Sequence, residues 1–269
     1  MNWDSIQYSS PKIMGILNVT PDSFYDGGSY TSESTISHRL EEIISQGADI
    51  IDIGAYSSRP GADDVSEDEE FRRLQTVLQI VKRNFPDSLV SIDTFRLSVV
   101  KKVFDCFGTC MVNDISGGNF DSEMIAFTAK HNLPYVCMHM QGTPQTMQKN
   151  PQYNDVVSDL LAFFEKKIQE ADSLKHTHFV IDPGFGFGKT VEQNYQLLNK
   201  LDSFTQFGKP ILVGVSRKSM IQKVLECTAN EALNGTTIVN TIALIKGANI
   251  LRVHDVKEAK EAVKIVSQL

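Results

Sequence analysis

Basic residues are the minority charge in this chain: 26 Lys and Arg stand against 33 Asp and Glu over 269 residues, a formal net charge of −7. Non-specific nucleic-acid binders take most of their affinity from a basic surface, so the balance argues against that class. A local cluster of bases can still hold a small anion. Long apolar runs are also lacking, and none approaches the roughly 18 residues that read as a membrane-crossing helix. The N-terminus has no basic-then-apolar signal pattern. Cysteine is sparse: Cys106, Cys110, Cys137 and Cys227 include no C-x-x-C pair, which speaks against a disulfide framework or a zinc site and for free thiols in a reducing compartment. The expectation is a soluble, cytoplasmic protein that binds neither nucleic acid nor membrane.

Nucleotide-binding loops are missing as well. Residues 181–190 read IDPGFGFGKT and end like a phosphate cradle. A Walker-type loop, however, needs a glycine where Pro183 stands, and a dinucleotide fingerprint needs one where Lys189 stands. No Ser/His/Asp spacing suggests a nucleophilic triad, and no histidine cluster suggests zinc.

What is present is a regular alternation. The hydrophobic fraction is 41% and the charged fraction 22%, enough to bury a sizeable core. Apolar runs of strand length fall at 12–18, 49–54, 89–94, 110–116, 134–140, 178–184, 210–216 and 250–255. Their near-continuous apolar character is what parallel strands covered on both faces require. Helical periodicity fills the gaps at 31–46, 66–85, 156–175 and 256–269, with Gly47 as a stop signal and Ser66-x-x-Glu69 as a capping box. Eight strands, each followed by helical sequence, predict an α/β fold: a single (β/α)8 TIM barrel spanning 1–269, with an open doubly wound sheet as the rival. The longest loops, 19–30 and 55–65, follow the first two strands and are candidates for binding loops.

The polar residues that interrupt the apolar runs sit at one end of each strand. They are Asn18, Asp52, Asp93, Asn113-Asp114, His139, Asp182, Ser216-Arg217-Lys218 and Arg252-x-His254-Asp255. In a parallel barrel all these ends open on one face, so the residues converge on one mouth. Some keep a second reading. Asp52 could make structural hydrogen bonds, Asp114 and Asp255 could be caps or loop anchors, and His139 could be a satisfied core histidine. Asn18, Asp93, Asn113, Asp182, Lys218, Arg252 and His254 occupy equivalent points of separate units, which a scatter of structural polar residues would not. Asp93, Asn113 and Asp182 suit the N–H, amino and carbonyl edge of a flat heterocycle. Lys218, Arg252 and His254, with Arg59 from the second loop, suit a phosphate or pyrophosphate. Asn18 offers an oxygen to Mg2+, a cation often held by few protein groups plus phosphate and water.

The ordered motifs MGILNVTPDSFYDGG, DIIDIGAYSSRPGA, SIDTF, VNDISGG, MHMQGTPQTMQ, IDPGFGFGKT, GVSRKSM and RVHDV span about 12–256. Together they resemble the dihydropteroate synthases, pterin-binding barrels of folate biosynthesis and targets of sulfonamides. The resemblance implies a transferase that joins p-aminobenzoate to 6-hydroxymethyl-7,8-dihydropterin pyrophosphate with release of pyrophosphate. It implies that Asp93, Asn113, Asp182 and Lys218 hold the pterin, with Met138, Phe187 and Gly214 shaping its slot. Asn18, Arg252 and His254 would grip the pyrophosphate, with Mg2+ at Asn18. Asp22 and Phe24 of the first loop, Ser58, Arg59 and Pro60 of the second, and Ser219 would complete the aminobenzoate site. The catalytic group would be Asp93, Asp182, Lys218, Arg252 and His254, acting electrostatically and by position. A homodimer is also implied. The apolar segment 230–247 could contribute to it or could equally be a buried barrel helix. One departure is clear: the family reads Gly-Gly-Glu-Ser-Thr-Arg-Pro-Gly where this chain has Gly54-Ala55-Tyr56-Ser57-Ser58-Arg59-Pro60-Gly61. Two rivals accompany this reading, a corrinoid-dependent pterin methyltransferase and a non-catalytic pterin-phosphate binder.

Overall fold

Eight strands form a parallel sheet ordered β6-β5-β4-β3-β2-β1-β8-β7. They are β1 (Lys12–Asn18), β2 (Ile50–Gly54), β3 (Leu89–Asp93), β4 (Met111–Asp114), β5 (Tyr135–Met138), β6 (Phe179–Asp182), β7 (Leu212–Val213) and β8 (Ile250–Val253). The computed structural model describes residues 10–19, 33–56, 65–143, 145–147 and 151–269. Most of the two long loops, and with them Asp22, Phe24, Ser58, Arg59 and Pro60, lies outside the described residues. At the seam, Ile181 pairs with Ile211 in a parallel bridge, and Ile181 N donates to Pro210 O at 3.0 Å. That contact brings β6 to β7 and curls the sheet into a barrel, which decides against the open sheet.

Helices follow the strands in turn: α1 (Glu33–Ser45), α2 (Glu67–Asn84), α3 (Leu97–Phe107), α4 (Met124–Lys130), α5 (Val156–Ser173), α6 (Val191–Asn199), α7 (Ser219–Leu225), α8 (Leu233–Ile245) and α9 (Val256–Val266), with a 3-10 turn at Leu201–Phe207. At the start of α2, Ser66 accepts from Glu69 N as expected. The expected reciprocal half of that box is replaced, because the Glu69 carboxylate turns to Arg72 and Arg73, both at 2.7 Å. A complete capping box forms instead at Thr190 and Gln193, at the start of α6. The threonine of the false phosphate loop is therefore a helix cap.

Strand alternation sorts the side chains into two cores. Ile13, Leu17, Ile51, Ile53, Val90, Ile92 and Phe179 face outward and join the helices in the main cluster. Met14, Ile50, Leu89, Met111, Val136, Val180, Leu212 and Ile250, one from each strand, pack together as a separate plug inside the barrel. Two residues further along the same inward rows stand Ile16, Asp52, Ser91, Asn113, Met138, Asp182, Gly214 and Arg252. The barrel is thus apolar at its floor and polar one layer up, at the C-terminal end of the strands. Among the described residues, no helix is long and apolar enough to cross a membrane.

Candidate active site

Arg252 organises the inward polar layer. Its Nε donates to Asp52 Oδ2 at 2.7 Å and its Nη2 to Asp93 Oδ2 at 2.7 Å. Asn113 Nδ2 donates to the same Asp52 oxygen at 3.2 Å. Four strands, β2, β3, β4 and β8, therefore meet through one guanidinium and its partners. Burial raises the Asp93 pKa above the ordinary carboxylate range; the Arg252 charge opposes that shift and the neighbouring Asp52 charge adds to it. Burial also disfavours the Arg252 cation, but Asp52 and Asp93 more than compensate and hold it charged.

Asp182 and Lys218 form the opposite wall. Burial raises the Asp182 pKa, while Lys218 and the Gly184 N–H oppose the shift. Gly184 N donates to Asp182 Oδ1 at 2.8 Å. Burial lowers Lys218 to about 8, with Asp182 opposing. The Lys218 ammonium donates to Phe185 O at 2.6 Å and lies 4.6 Å from the Phe187 ring centroid. Phe187 packs on a small cluster of Ile115, Met138, Met140 and Met147. Gly214 completes this wall: a Cβ there would touch Arg252 Cβ at 3.7 Å and Lys218 Nζ at 3.8 Å. Gly214 thus leaves bare backbone beside the Arg252 side chain and the charged end of Lys218.

Lys189 explains the rest of the glycine-rich loop. The residue is only 4% exposed, and its ammonium donates to Gly184 O and Phe187 O at 3.0 Å each. It also reaches His139 O at 3.3 Å and His139 Nδ1 at 3.2 Å. Burial lowers its pKa to about 7, with the Asp182 charge opposing. His139 is lowered to about 3 by burial and then by Lys189, so it is a neutral acceptor and a brace. The loop wraps a lysine; it does not wrap a phosphate.

The remaining rim residues divide in the same way. His254 N donates to Ser216 Oγ at 3.2 Å, and His254 Nδ1 lies 3.1 Å from that oxygen. The hydroxyl can accept from the backbone N–H and donate to Nδ1 at once, an arrangement that leaves the ring proton on Nε2. Burial and the Arg252 charge lower His254 to about 4, so the imidazole is neutral at pH 7. Asn18 closes β1 beside Gly54, its register partner, and Ser219 is the exposed first residue of α7. Arg217 pairs with Asp255 at 2.9 and 2.8 Å and donates to Ala229 O and Asn230 O, so both are loop anchors. Asp114 points outward and accepts from Ser116, Gly118 and Tyr135, which makes it an anchor too.

Three participants were not singled out from sequence as site residues: Asp52, left with two readings, Ser216 and Lys189. The departing residue Tyr56 also finds its place. Its ring meets Phe95 edge-on at 5.2 Å, lies 5.1 Å from the Arg96 guanidinium carbon, and its hydroxyl accepts from Gln145 at 3.1 Å. Arg96 is in turn held by the buried Glu70 at 2.8 Å. Tyr56 thus offers its π-face to Arg96.

A parallel barrel with acids and bases gathered in one inward layer at the C-terminal ends of its strands suits a small-molecule enzyme, and residues 14–254 match the family described as pterin binding enzyme. The chain is 43% identical over 262 residues to the dihydropteroate synthase of Haemophilus influenzae, covering 97% of this chain and 94% of that protein. The crystal structure of Yersinia pestis dihydropteroate synthase in complex with a sulfonamide drug superposes with a TM-score of 0.90 at 40% identity, covering 98% and 95% of the two chains. The Clostridium difficile dihydropteroate synthase crystallised in the presence of pteroic acid gives 0.89 at 37% identity, covering 97% of each. The chain belongs to the dihydropteroate synthase family.

Proposed function

We propose that this crater condenses p-aminobenzoate with 6-hydroxymethyl-7,8-dihydropterin pyrophosphate, giving 7,8-dihydropteroate and pyrophosphate in folate biosynthesis. The whole chain, 1–269, works as one pterin-binding domain in the cytoplasm. The observation that carries this reading is the bridge from Asp93 to Arg252, itself anchored on Asp52, which puts an acid suited to a ring and a base suited to its anionic tail in one inward layer. Asp93, Asn113 and Asp182 accept from or pair with the pterin edge, and Lys218 spans the ring and its tail. Met138, Phe187 and Gly214 bound the flat slot.

Cleavage of the methylene C–O bond leaves positive charge on the pterin and adds negative charge to the departing pyrophosphate. Asp93 and Asp182 stabilise the first. Arg252, the Nε2–H of His254 and the Asn18 amide stabilise the second. Fixed dipoles of this kind, aimed where charge develops, often dominate catalysis. Ser219 at the start of α7, with Asp22, Phe24, Ser58, Arg59 and Pro60, holds the aromatic amine so that it meets the methylene carbon before water does. No protein nucleophile is needed.

A magnesium ion fits the Asn18 corner. A Cβ at Gly54 would lie 3.1 Å from Asn18 Oδ1, so the glycine keeps that oxygen clear. One amide oxygen suits an ion that takes its other ligands from phosphate and water. When bound, the ion would neutralise charge on the pyrophosphate oxygens.

The test is direct. Protein, Mg2+ and the two precursors should yield pyrophosphate and dihydropteroate together. Binding without release would leave a passive barrel, and methyl transfer to a corrinoid protein would favour the other rival. The pH profile follows from the charges. Lys218 is needed as a cation, so kcat/KM should fall as pH rises through about 8. Asp93 and Asp182 are needed as carboxylates, and burial raises both. The acid limb should therefore lie above the ordinary carboxylate range of about 4. A Lys218→Arg variant that retains activity should lose the basic limb.

We also propose that the protein works as a homodimer paired through α7 and α8. Val239, Ala243 and Leu244 of α8 are buried against the barrel, yet Ile238, Ile242 and Ile245 are 52%, 37% and 60% exposed at helical spacing. Val224 and Leu225 at the end of α7 extend the patch, at 57% and 50%. An apolar helix with two apolar faces calls for a second cover. An Ile238→Asp, Ile242→Asp double variant should run as a monomer in light scattering where the parent runs as a dimer.

A further inference from the structure

The two carboxylates on Arg252 differ in kind. Asp52 is fully buried. Its Oδ2 takes Arg252 Nε at 2.7 Å and Asn113 Nδ2 at 3.2 Å, while its buried Oδ1 has no hydrogen-bond partner among the described residues. A carboxylate so placed cannot release its cation without stranding a charge away from water. Asp93 takes Arg252 Nη2 at 2.7 Å, but its side chain is 22% exposed at the rim. It can exchange the guanidinium for other donors, and the pterin ring brings N–H groups to it.

We propose that Asp52 is a positioning residue that keeps Arg252 anchored through Nε throughout the reaction, while Nη2 passes from Asp93 to the pyrophosphate when the pterin ring takes Asp93. The inference rests on the functional reading given above. The guanidinium is shared between two carboxylates, and an arriving anion must compete with Asp93 for it. Ring binding removes that competitor. The ring and anion sites then strengthen each other, and by linkage each raises the affinity of the other by the same factor. Asp52 also restrains Arg252 from closing wholly on Asp93. Its loss should leave the cation paired with Asp93 alone, a tighter lock on the anion site.

Calorimetric titration with inorganic pyrophosphate and Mg2+ tests both halves. On the wild-type protein, pyrophosphate should bind about tenfold more tightly when 6-hydroxymethylpterin saturates the ring site; equal affinity with and without the pterin overturns the exchange. For Asp52→Asn, pyrophosphate should bind about tenfold more weakly than to wild type at unchanged stoichiometry. The sign is informative. Removal of a negative charge near an anion site should tighten anion binding by electrostatics alone, and a purely structural defect should lower the stoichiometry and not the affinity. Unchanged or tighter binding by Asp52→Asn therefore overturns the positioning role. If that variant does not fold, the wild-type titration still decides the exchange. A wild-type protein that makes dihydropteroate but binds its two halves independently would sink this inference alone. One that binds no pterin would sink it together with the functional reading.

Discussion

Lys218→Ala should make dihydropteroate about 10²- to 10³-fold more slowly than the parent, the range found when one preorganised electrostatic donor is removed from a water-poor site. The Lys218 ammonium touches Phe185 O and the Phe187 face, and Asp182 interacts with its charge. The two contacts and the Asp182 charge place the ammonium between the Phe187 ring and that carboxylate. Charge separation in the C–O cleavage step is felt on both sides of that position. Burial lowers Lys218 to about 8, so the cation is less favourable there than in water yet is still the main form at neutral pH. Asp182→Asn should lose a comparable factor while keeping the Gly184 N–H bond, because an amide oxygen still accepts it. Steady-state kinetics on both variants, read as pyrophosphate release, checks the expectation. Near-parental turnover in both would remove Lys218 and Asp182 from the reaction.

The strands were legible because each is buried on both faces, so their apolar runs stand out against helical periodicity. All eight appear where expected, most of them shortened at their ends. The convergence of polar residues was legible too, because parallel strands end on one face whatever their order. What a linear reading could not separate was inward from outward among neighbouring polar residues. Asn113 and Asp114 are adjacent, and both are buried polar groups. The first reaches Asp52 in the barrel; the second is taken up by Tyr135 and the loop at 116–118. Counting by twos from the apolar plug, 50 to 52 and 111 to 113, sorts them. That count needs the floor of the barrel, which only the assembled strands define. Asp52 stayed ambiguous for the same reason.

Lys189 was hidden by a different effect. A lysine after glycines usually suggests a solvated or phosphate-bound cation. Here the positive-φ glycines Gly184, Gly186 and Gly188 fold the loop around it, and the backbone carbonyls it needs come from the loop itself and from His139. No spacing rule carries that information, because the acceptors are backbone atoms that every residue has. Tyr56 was flagged only as a departure. Its aromatic, guanidinium and amide partners, Phe95, Arg96 and Gln145, lie far from it along the chain.

Gly184→Ala should be the most damaging single methyl group in the crater. Gly184 has φ +69, a region that side chains rarely adopt, and an added Cβ would fall well inside van der Waals contact of His139 O. That oxygen belongs to backbone that is itself pinned: His139 N donates to Asp182 O at 2.9 Å, and His139 O accepts from Lys189. Neither side can yield easily. Relief requires moving the Gly184 turn, which supplies the N–H on Asp182 and the carbonyl on Lys189. Backbone strain and overpacking together cost about 3–5 kcal/mol, a loss of roughly 6–20 °C in Tm for a domain of this size. Gly208→Ala provides the control. Gly208 has φ +60 and nothing within 4 Å of an added Cβ, so that change carries the strain without the collision, about 1 kcal/mol. Thermal melts of the two variants isolate the steric contact. Equal losses would mean that the β6 loop is not held against β5 as tightly as the Lys189 brace requires.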